Sequence, residues 1–307
     1  MQTVVINSYH GMVWGDECMA RGLADGFRRL GHTAEVVSAQ THRIARGGFD
    51  VMIAMYPTGE IPGLPYRVEL PRSCLNLYWA QVPGHFRLAE RDPRFSGFLF
   101  ASRAEMAGSG AREKLWLPMS ADPEAYRPVP AVRKLRDVVF CANNIVGRSQ
   151  ATLARYLDPL LDIPGLELAI HGSGWEGTRY AALARGPIPP PEVPALYCSS
   201  KVVLSVHGDS HFAADMPTSR IFEAAACECA ILSDLLPTGR EIFGDAIMWT
   251  TGGEDARRKA LALLGDDAGR EALGRRARAA LLADFTFDAH ARRIAAFVEQ
   301  LRAGGRP

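Results

Sequence analysis

Within the nine residues Asp215-Met-Pro-Thr-Ser-Arg-Ile-Phe-Glu223 stand two carboxylates, two hydroxyls and an arginine. Thr218 or Ser219 opens a short helix there, and a buried strand follows over 230–233. A helix N-terminus presents unpaired backbone N–H groups and about half a positive charge, so it attracts phosphate. Arg220 adds a second cationic donor. Glu223, one turn further in, suits the hydroxyls of a sugar or ribose, which need acceptors. A nucleotide-sugar diphosphate has both features. The same residues also fit a capped helix with Arg220 and Glu223 as plain surface charges.

A second phosphate candidate is Phe140-Cys-Ala-Asn143-Asn-Ile-Val-Gly147-Arg148, where a strand runs into a polar loop and an arginine opens a helix. The planar guanidinium fork suits phosphate oxygens; an exposed first-turn arginine is the bland equivalent. Gly172-Ser-Gly174-Trp-Glu-Gly177 spells a dinucleotide fingerprint, but no long helix follows before the proline run at 187–191, and no acid ends a next strand. This context argues against nicotinamide dinucleotide. Those glycines are expected to admit something flat, such as a nucleobase. His207 ends a strand beside the Asp215 loop and is expected to contact substrate. In the first half, His10 and Asp16 follow the first strand, and His85 follows another. Each histidine fits an ordinary hydrogen-bonded role as well as a catalytic one, and Asp16 fits a helix cap. No Ser-His-Asp order, P-loop or HExxH pattern occurs, and Cys227-Glu-Cys229 is too closely spaced for zinc.

These groups need elements that carry them to one edge of a sheet. The first half alternates strands at 3–7, 34–38, 51–55, 74–79 and 97–101 with helical patterns. The first helix, 16–30, sets Met19, Leu23, Phe27 and Leu30 on one face, and Gly31 stops it. The second half repeats the alternation: strands at 138–141, 166–171, 201–206 and 230–233, helices at 149–161 and 191–197, and a helical run from 255 to 301. Strands separated by helices imply parallel sheets. The expected fold is α/β, with two Rossmann-like domains facing each other across a cleft that seats the active site. The domains are 1–122 and 137–307, with the last helix free to return to the first, and the proline-rich, basic stretch 123–136 is the linker. A chain of 307 residues supports two such cores, and 48% hydrophobic with 22% charged residues is ordinary for a globular protein. The net charge of +1 gives no electrostatic case for nucleic acid or an anionic membrane. No apolar run reaches bilayer length, the start reads as a strand, and the scattered cysteines fit a reducing compartment, so a cytoplasmic protein is expected.

Together these segments resemble the GT-B nucleotide-sugar glycosyltransferases, group 1 enzymes and, more closely, their spore-maturation (CgeB-like) relatives. The resemblance rests on Phe140-Cys-Ala-Asn-Asn with Arg148, Leu168-Ala-Ile-His171-Gly172-Ser-Gly-Trp, and Pro194-Ala-Leu-Tyr-Cys-Ser-Ser-Lys-Val-Val-Leu-Ser-Val-His207. It continues through Pro217-Thr-Ser-Arg-Ile-Phe-Glu and Phe285-Thr-Phe-Asp, with Leu117-Pro-Met-Ser-Ala-Asp-Pro-Glu-Ala-Tyr-Arg-Pro as the crossing between domains. It implies metal-independent sugar transfer from a nucleoside-diphosphate sugar, with no further cofactor. Arg148 and Arg220 fall to the diphosphate, Glu223 to the ribose and Gly172 to the donor pocket; Asn143, Gly147, His171, His207, Asp215, Thr218 and Ser219 line the same site. In group 1 enzymes a pair of glutamates with seven residues between them contacts the donor. Here the first is Asp215, and Thr218 replaces the usual glycine, which leaves the stereochemical outcome open. An inverting reaction needs a base, from His10, Asp16 or His85. The expected partners are a nucleotide-sugar donor and a glycan, protein or small-molecule acceptor, with a homodimer as a further candidate. An epimerase or hydrolase on the same fold, or a silent nucleotide-sugar binder, are the alternatives.

Overall fold

The computed structural model describes residues 3–8, 15–38, 48–56, 70–130, 133–144 and 148–304. The chain divides into two compact units, Met1–Ser120 with Phe285–Pro307, and Ala121–Asp284. In the first, β1 (Thr3–Ser8), β2 (Thr33–Ser38), β3 (Val51–Ala54), β4 (Leu75–Ala80), β5 (Phe95–Phe100) and β6 (Lys114–Trp116) form a parallel sheet in the order β2-β1-β3-β4-β5-β6. Every residue of β3 and β4 is buried, as expected where helices or loops cover both faces of a parallel sheet. Helix α1 (Gly15–Arg29) buries Met19, Leu23 and Phe27 at four-residue intervals. Its acids lie in the first turn and its arginines in the last, which complements the helix dipole. The short helices α2 (Phe86–Ala89) and α3 (Arg103–Gly108) follow β4 and β5.

The second unit holds β7 (Arg136–Cys141), β8 (Leu168–His171), β9 (Ser200–Ser205), β10 (Ile231–Asp234) and β11 (Met248–Thr250), all parallel, in the order β11-β10-β9-β7-β8. Its helices are α4 (Gln150–Leu161), α5 (Val193–Cys198), α6 (Asp209–Ala213), α7 (Ser219–Ala226), α8 (Pro237–Phe243), α9 (Glu254–Gly265) and α10 (Asp267–Asp284). Phe140, Leu153, Leu157, Ile170, Trp175, Val202, Leu204 and Leu232 form one core. Trp175, read from sequence as part of a glycine loop, lies wholly inside it. Its ring meets Phe140 edge-on at 5.9 Å, and its Nε1 donates to Ala142 O at 2.7 Å. After β8 the chain crosses back over β7 to lay β9 on the other side, so the strand order reverses between β7 and β9. Open α/β sheets bind ligands at the carboxyl ends of the strands flanking such a reversal.

The helical run from 255 is made of three helices. It breaks at Asp266, which leaves helical geometry, and at Thr286, which caps α11 (Phe287–Ala303) by accepting from Ala289 N at 3.2 Å. Helix α11 belongs to the first unit. There the Phe287 ring lies on Gly22 of α1, so close that a Cβ at Gly22 would stand 2.2 Å from it. Among the described residues no helix is long and apolar enough to cross a membrane.

Candidate functional site

The carboxyl ends of β7 and β9 carry two arginines. Arg148 Nε donates to Val206 O, just past β9, at 2.9 Å, and its Nη1 to Asn143 O at 3.0 Å. Arg220, from the first turn of α7, donates through Nε to Cys141 O, the last residue of β7. Both guanidinium carbons lie 5.3 Å from the centroid of the buried Phe140 ring. Two cations therefore share one aromatic ring, and neither forms an ion pair with a carboxylate among the described residues. Burial and the Arg220 charge push the Arg148 guanidinium down to about 9. Arg220 Nη1 and Thr218 Oγ1 are buried donors with no protein partner. Buried polar groups are nearly always paired, so unpaired ones beside two crowded cations mark a place for an anion.

Glu223 stands one turn into α7, hydrogen-bonded by the Ser219 and Tyr126 side chains. Burial raises its pKa, while Arg220 and these hydrogen bonds oppose the rise. Tyr126 falls within the 117–128 crossing motif, but nothing in that proline-rich stretch announces a hydrogen bond to Glu223.

Two expected donor contacts hold the site together from within. His207 is fully buried. Its Nε2 accepts from Thr218 N at 3.1 Å, so its proton is on Nδ1, which donates to Asp234 Oδ1 at 2.6 Å. Asp234 also accepts from His207 N at 3.0 Å. Burial pushes the Asp234 carboxyl up, yet these His207 interactions and the Ser233 hydroxyl hold it below the usual range. Both ring nitrogens are engaged, so His207 orients the turn before α7 instead of offering a free nitrogen. Asp215, in the left-handed region at φ 48°, accepts from Thr238 N at 3.1 Å and from Thr238 Oγ1 at 2.7 Å. Its carboxylate anchors the start of α8.

The loops after β7 and β8 close on each other. Asn143 Oδ1 accepts from Ser173 N at 2.9 Å, and Asn144 N donates to Ser173 O at 2.8 Å. Gly172, at φ +142°, lies between them: a Cβ there would stand 2.1 Å from Ala142 O. On the side where a side chain would stand, Gly172 is crowded by the chain's own backbone. The N-terminus of α4 is not open to phosphate. Asp209 occupies it, accepting from Ser149 N at 3.0 Å and Thr152 Oγ1 at 2.8 Å. His171 ends β8 with a buried, unpartnered Nε2, and burial lowers its pKa. Gly147 lies outside the described residues.

In the first unit, His10 also lies outside the described residues. Asp16, in the first turn of α1, accepts from Tyr56 Oη, and burial raises its carboxyl. His85 precedes α2 with its Nδ1 buried and unpartnered, and burial lowers its pKa. No hydrogen bond joins it to Asp16 among the described residues. Glu105 holds the His85 loop by accepting from Gly84 N at 2.6 Å. The Ser102-Arg-Ala-Glu105 capping pattern is the signal for it: Ser102 Oγ accepts from Glu105 N at 3.1 Å, while the glutamate side chain turns to the loop.

Residues 148–296 match a family model described as glycosyl transferase-like. Comparison with curated proteins gives no match. Among solved structures, a sucrose-phosphate synthase from Thermosynechococcus elongatus is similar over 99% of this chain and 100% of its own, with a TM-score of 0.68 at 14% identity. A T4 phage BGT mutant in complex with UDP-glucose is similar over 99% of both chains, with a TM-score of 0.68 at 13% identity. An alpha-glucosyltransferase in complex with UDP and DNA is similar over 97% of this chain and 99% of its own, with a TM-score of 0.70 at 10% identity. At such identities the likeness is one of fold: two parallel-sheet units of the GT-B kind. Residues 148–296 thus resemble a glycosyl transferase-like family, on a fold of the GT-B kind.

Proposed function

We propose that the protein moves a sugar from a nucleoside-diphosphate sugar to an acceptor, with the diphosphate on Arg148 and Arg220. The observation that carries this reading is the pair of guanidiniums on the buried Phe140 ring, neither ion-paired to a carboxylate among the described residues. A diphosphate supplies the missing charge. As the sugar–phosphate bond breaks, negative charge grows on the leaving oxygen, and fixed guanidiniums with the N–H groups of Ser219 and Arg220 stabilise it without reorganising. Thr218 Oγ1 adds a donor, and Glu223, held by Tyr126 and Ser219, accepts from the ribose hydroxyls. His207, Asp215, Asn143 and Gly172 support the turns that present these groups. Uridine nucleotides are the first donors to test, because two of the similar structures hold UDP or UDP-glucose.

The first unit takes the acceptor in this reading. Asp16 or His85 supplies a base if the reaction inverts, and the group is the spore-maturation branch of the family. The two guanidiniums fill the role that a divalent cation plays elsewhere, so transfer proceeds in EDTA. Thermal shifts with UDP, GDP, dTDP, CDP and ADP sugars, on wild type, Arg148→Ala and Glu223→Ala, test the site. One nucleotide class should stabilise wild type, and both variants should lose most of the shift. No shift from any donor overturns the function, and equal shifts in the variants overturn the site.

A further inference from the structure

At the carboxyl end of α7, three thiols converge. Helix α5 ends at Cys198, and α7 is followed by Cys227 and Cys229. Between these two, Glu228 takes the left-handed region at φ +61°, which turns the chain back on itself. Gly274 of α10 closes on that turn: a Cβ there would stand 2.1 Å from Glu228 O. Cys198 Sγ and Cys229 Sγ both approach Cys227 O, at 3.7 and 3.6 Å. The Cys198 side chain is hydrogen-bonded to those of both Cys227 and Cys229. Val129 N donates to Cys198 Sγ at 3.4 Å, and the Lys134 ammonium rests on Cys198 O at 2.7 Å.

We propose that these cysteines form an oxidation site for peroxides, in which Cys198 reacts first and Cys227 or Cys229 closes a disulfide onto it. The site is independent of the donor reading. Hydrogen bonds from the two neighbouring thiols, with Val129 N–H and Lys134 nearby, hold the Cys198 thiol far below its ordinary pKa, against the burial that would raise it. The thiolate is the nucleophile. Within the cluster Cys198 is the least buried, 8% exposed against 5% for Cys229 and 2% for Cys227. It attacks one oxygen of hydrogen peroxide, the O–O bond breaks, and the departing hydroxide takes a proton to become water. Cys198 is left as a sulfenic acid. The neighbouring thiol then attacks that sulfur, an S–S bond forms, and the S–OH bond breaks. The leaving hydroxide takes the thiol proton as a second water. Two cysteines have lost two electrons, and one peroxide has been reduced to two waters. Cys74 and Cys141 have no such neighbours: burial raises Cys74 to about 11 and Cys141 to about 12.

The test is peptide mapping of the reduced full chain after brief hydrogen peroxide treatment, denaturation and alkylation. The expected product links Cys198 to Cys227 or Cys229, is reversed by dithiothreitol, and leaves Cys74 and Cys141 open to alkylation. Between pH 7 and pH 5 the Cys198 rate should hold level while that of Cys74, a thiol of high pKa, falls about a hundredfold. Cys198→Ser should abolish the linked peptide, and the wild-type map stands even if this variant fails to fold. The proposal is overturned if no linked peptide forms, if Cys74 or Cys141 oxidises first, or if the Cys198 rate falls with that of Cys74.

Discussion

Replacing Arg148 by methionine separates a binding arginine from a structural one. The guanidinium is pushed from 12.5 to about 9, chiefly by burial and then by Arg220. At about 1.36 kcal/mol per unit the cost of its charge is about 5 kcal/mol, and roughly half that once its partial exposure is discounted. The substitution also gives up two hydrogen bonds, to Val206 O and Asn143 O, at about 1 kcal/mol each. The two effects nearly cancel, so unliganded Arg148→Met should melt within about 4 °C of wild type. Binding should respond differently. Losing one charge-assisted contact to the diphosphate costs about 1.5–3 kcal/mol, which is about 10- to 100-fold in affinity. At nucleotide about one hundred times the wild-type dissociation constant, stabilisation falls from about 2.7 to between about 1.4 and 0.4 kcal/mol. Differential scanning fluorimetry with and without UDP, checked by calorimetric titration, reads both quantities. A large loss of unliganded stability with unchanged nucleotide affinity would refute the reasoning and make Arg148 a strut.

Gly172→Ala should destabilise the second unit by more than about 2 kcal/mol in urea unfolding, because its Cβ would overlap Ala142 O at a φ that side chains avoid. His207→Ala should cost about 3–5 kcal/mol, since it leaves the Asp234 carboxylate buried without its partner; it should also raise the donor KM by freeing the turn at Thr218. His290 in α11 is buried, hydrogen-bonded through Nε2 to Pro118 O at 2.7 Å, and pushed down to about 4 by burial. A folded pKa below the unfolded 6.5 means that the unfolded chain binds the extra proton between these values. Stability should therefore fall by about 3 kcal/mol as the pH drops from about 6.5 to about 4, and His290→Gln should flatten that slope in a urea series across the same window.

Most strands of both sheets are legible because buried parallel strands read as apolar runs, as β3 and β4 do; the three-residue strands β6 and β11 are too short to show such a run and are not expected from the sequence. Arg148 and Arg220 are legible because a guanidinium beside a strand end is already a chemical statement. The partners of the neighbouring polar groups are not. Asp215 meets Thr238, and His207 meets Asp234, across separations of 23 and 27 residues, which no local pattern records. Both read as ligand contacts because a polar side chain near a loop carries no sign of an internal partner. Gly172 is visible as a glycine that matters, but the backbone crowding it belongs to a different loop. Tyr126 can be found only once the fold brings it to Glu223.

The first unit is discontinuous along the chain, since α11 comes after the whole of the second. During synthesis, residues 121–284 leave the ribosome before the helix that covers Gly22 and Gly26 of α1 has been made. The early sheet must wait, with that glycine face bare, until its final seventeen-residue helix emerges. A nascent chain stalled before 285 should thus show a protease-resistant second unit and a sensitive first one. An expression fragment cut at 120 would carry the same exposed face permanently.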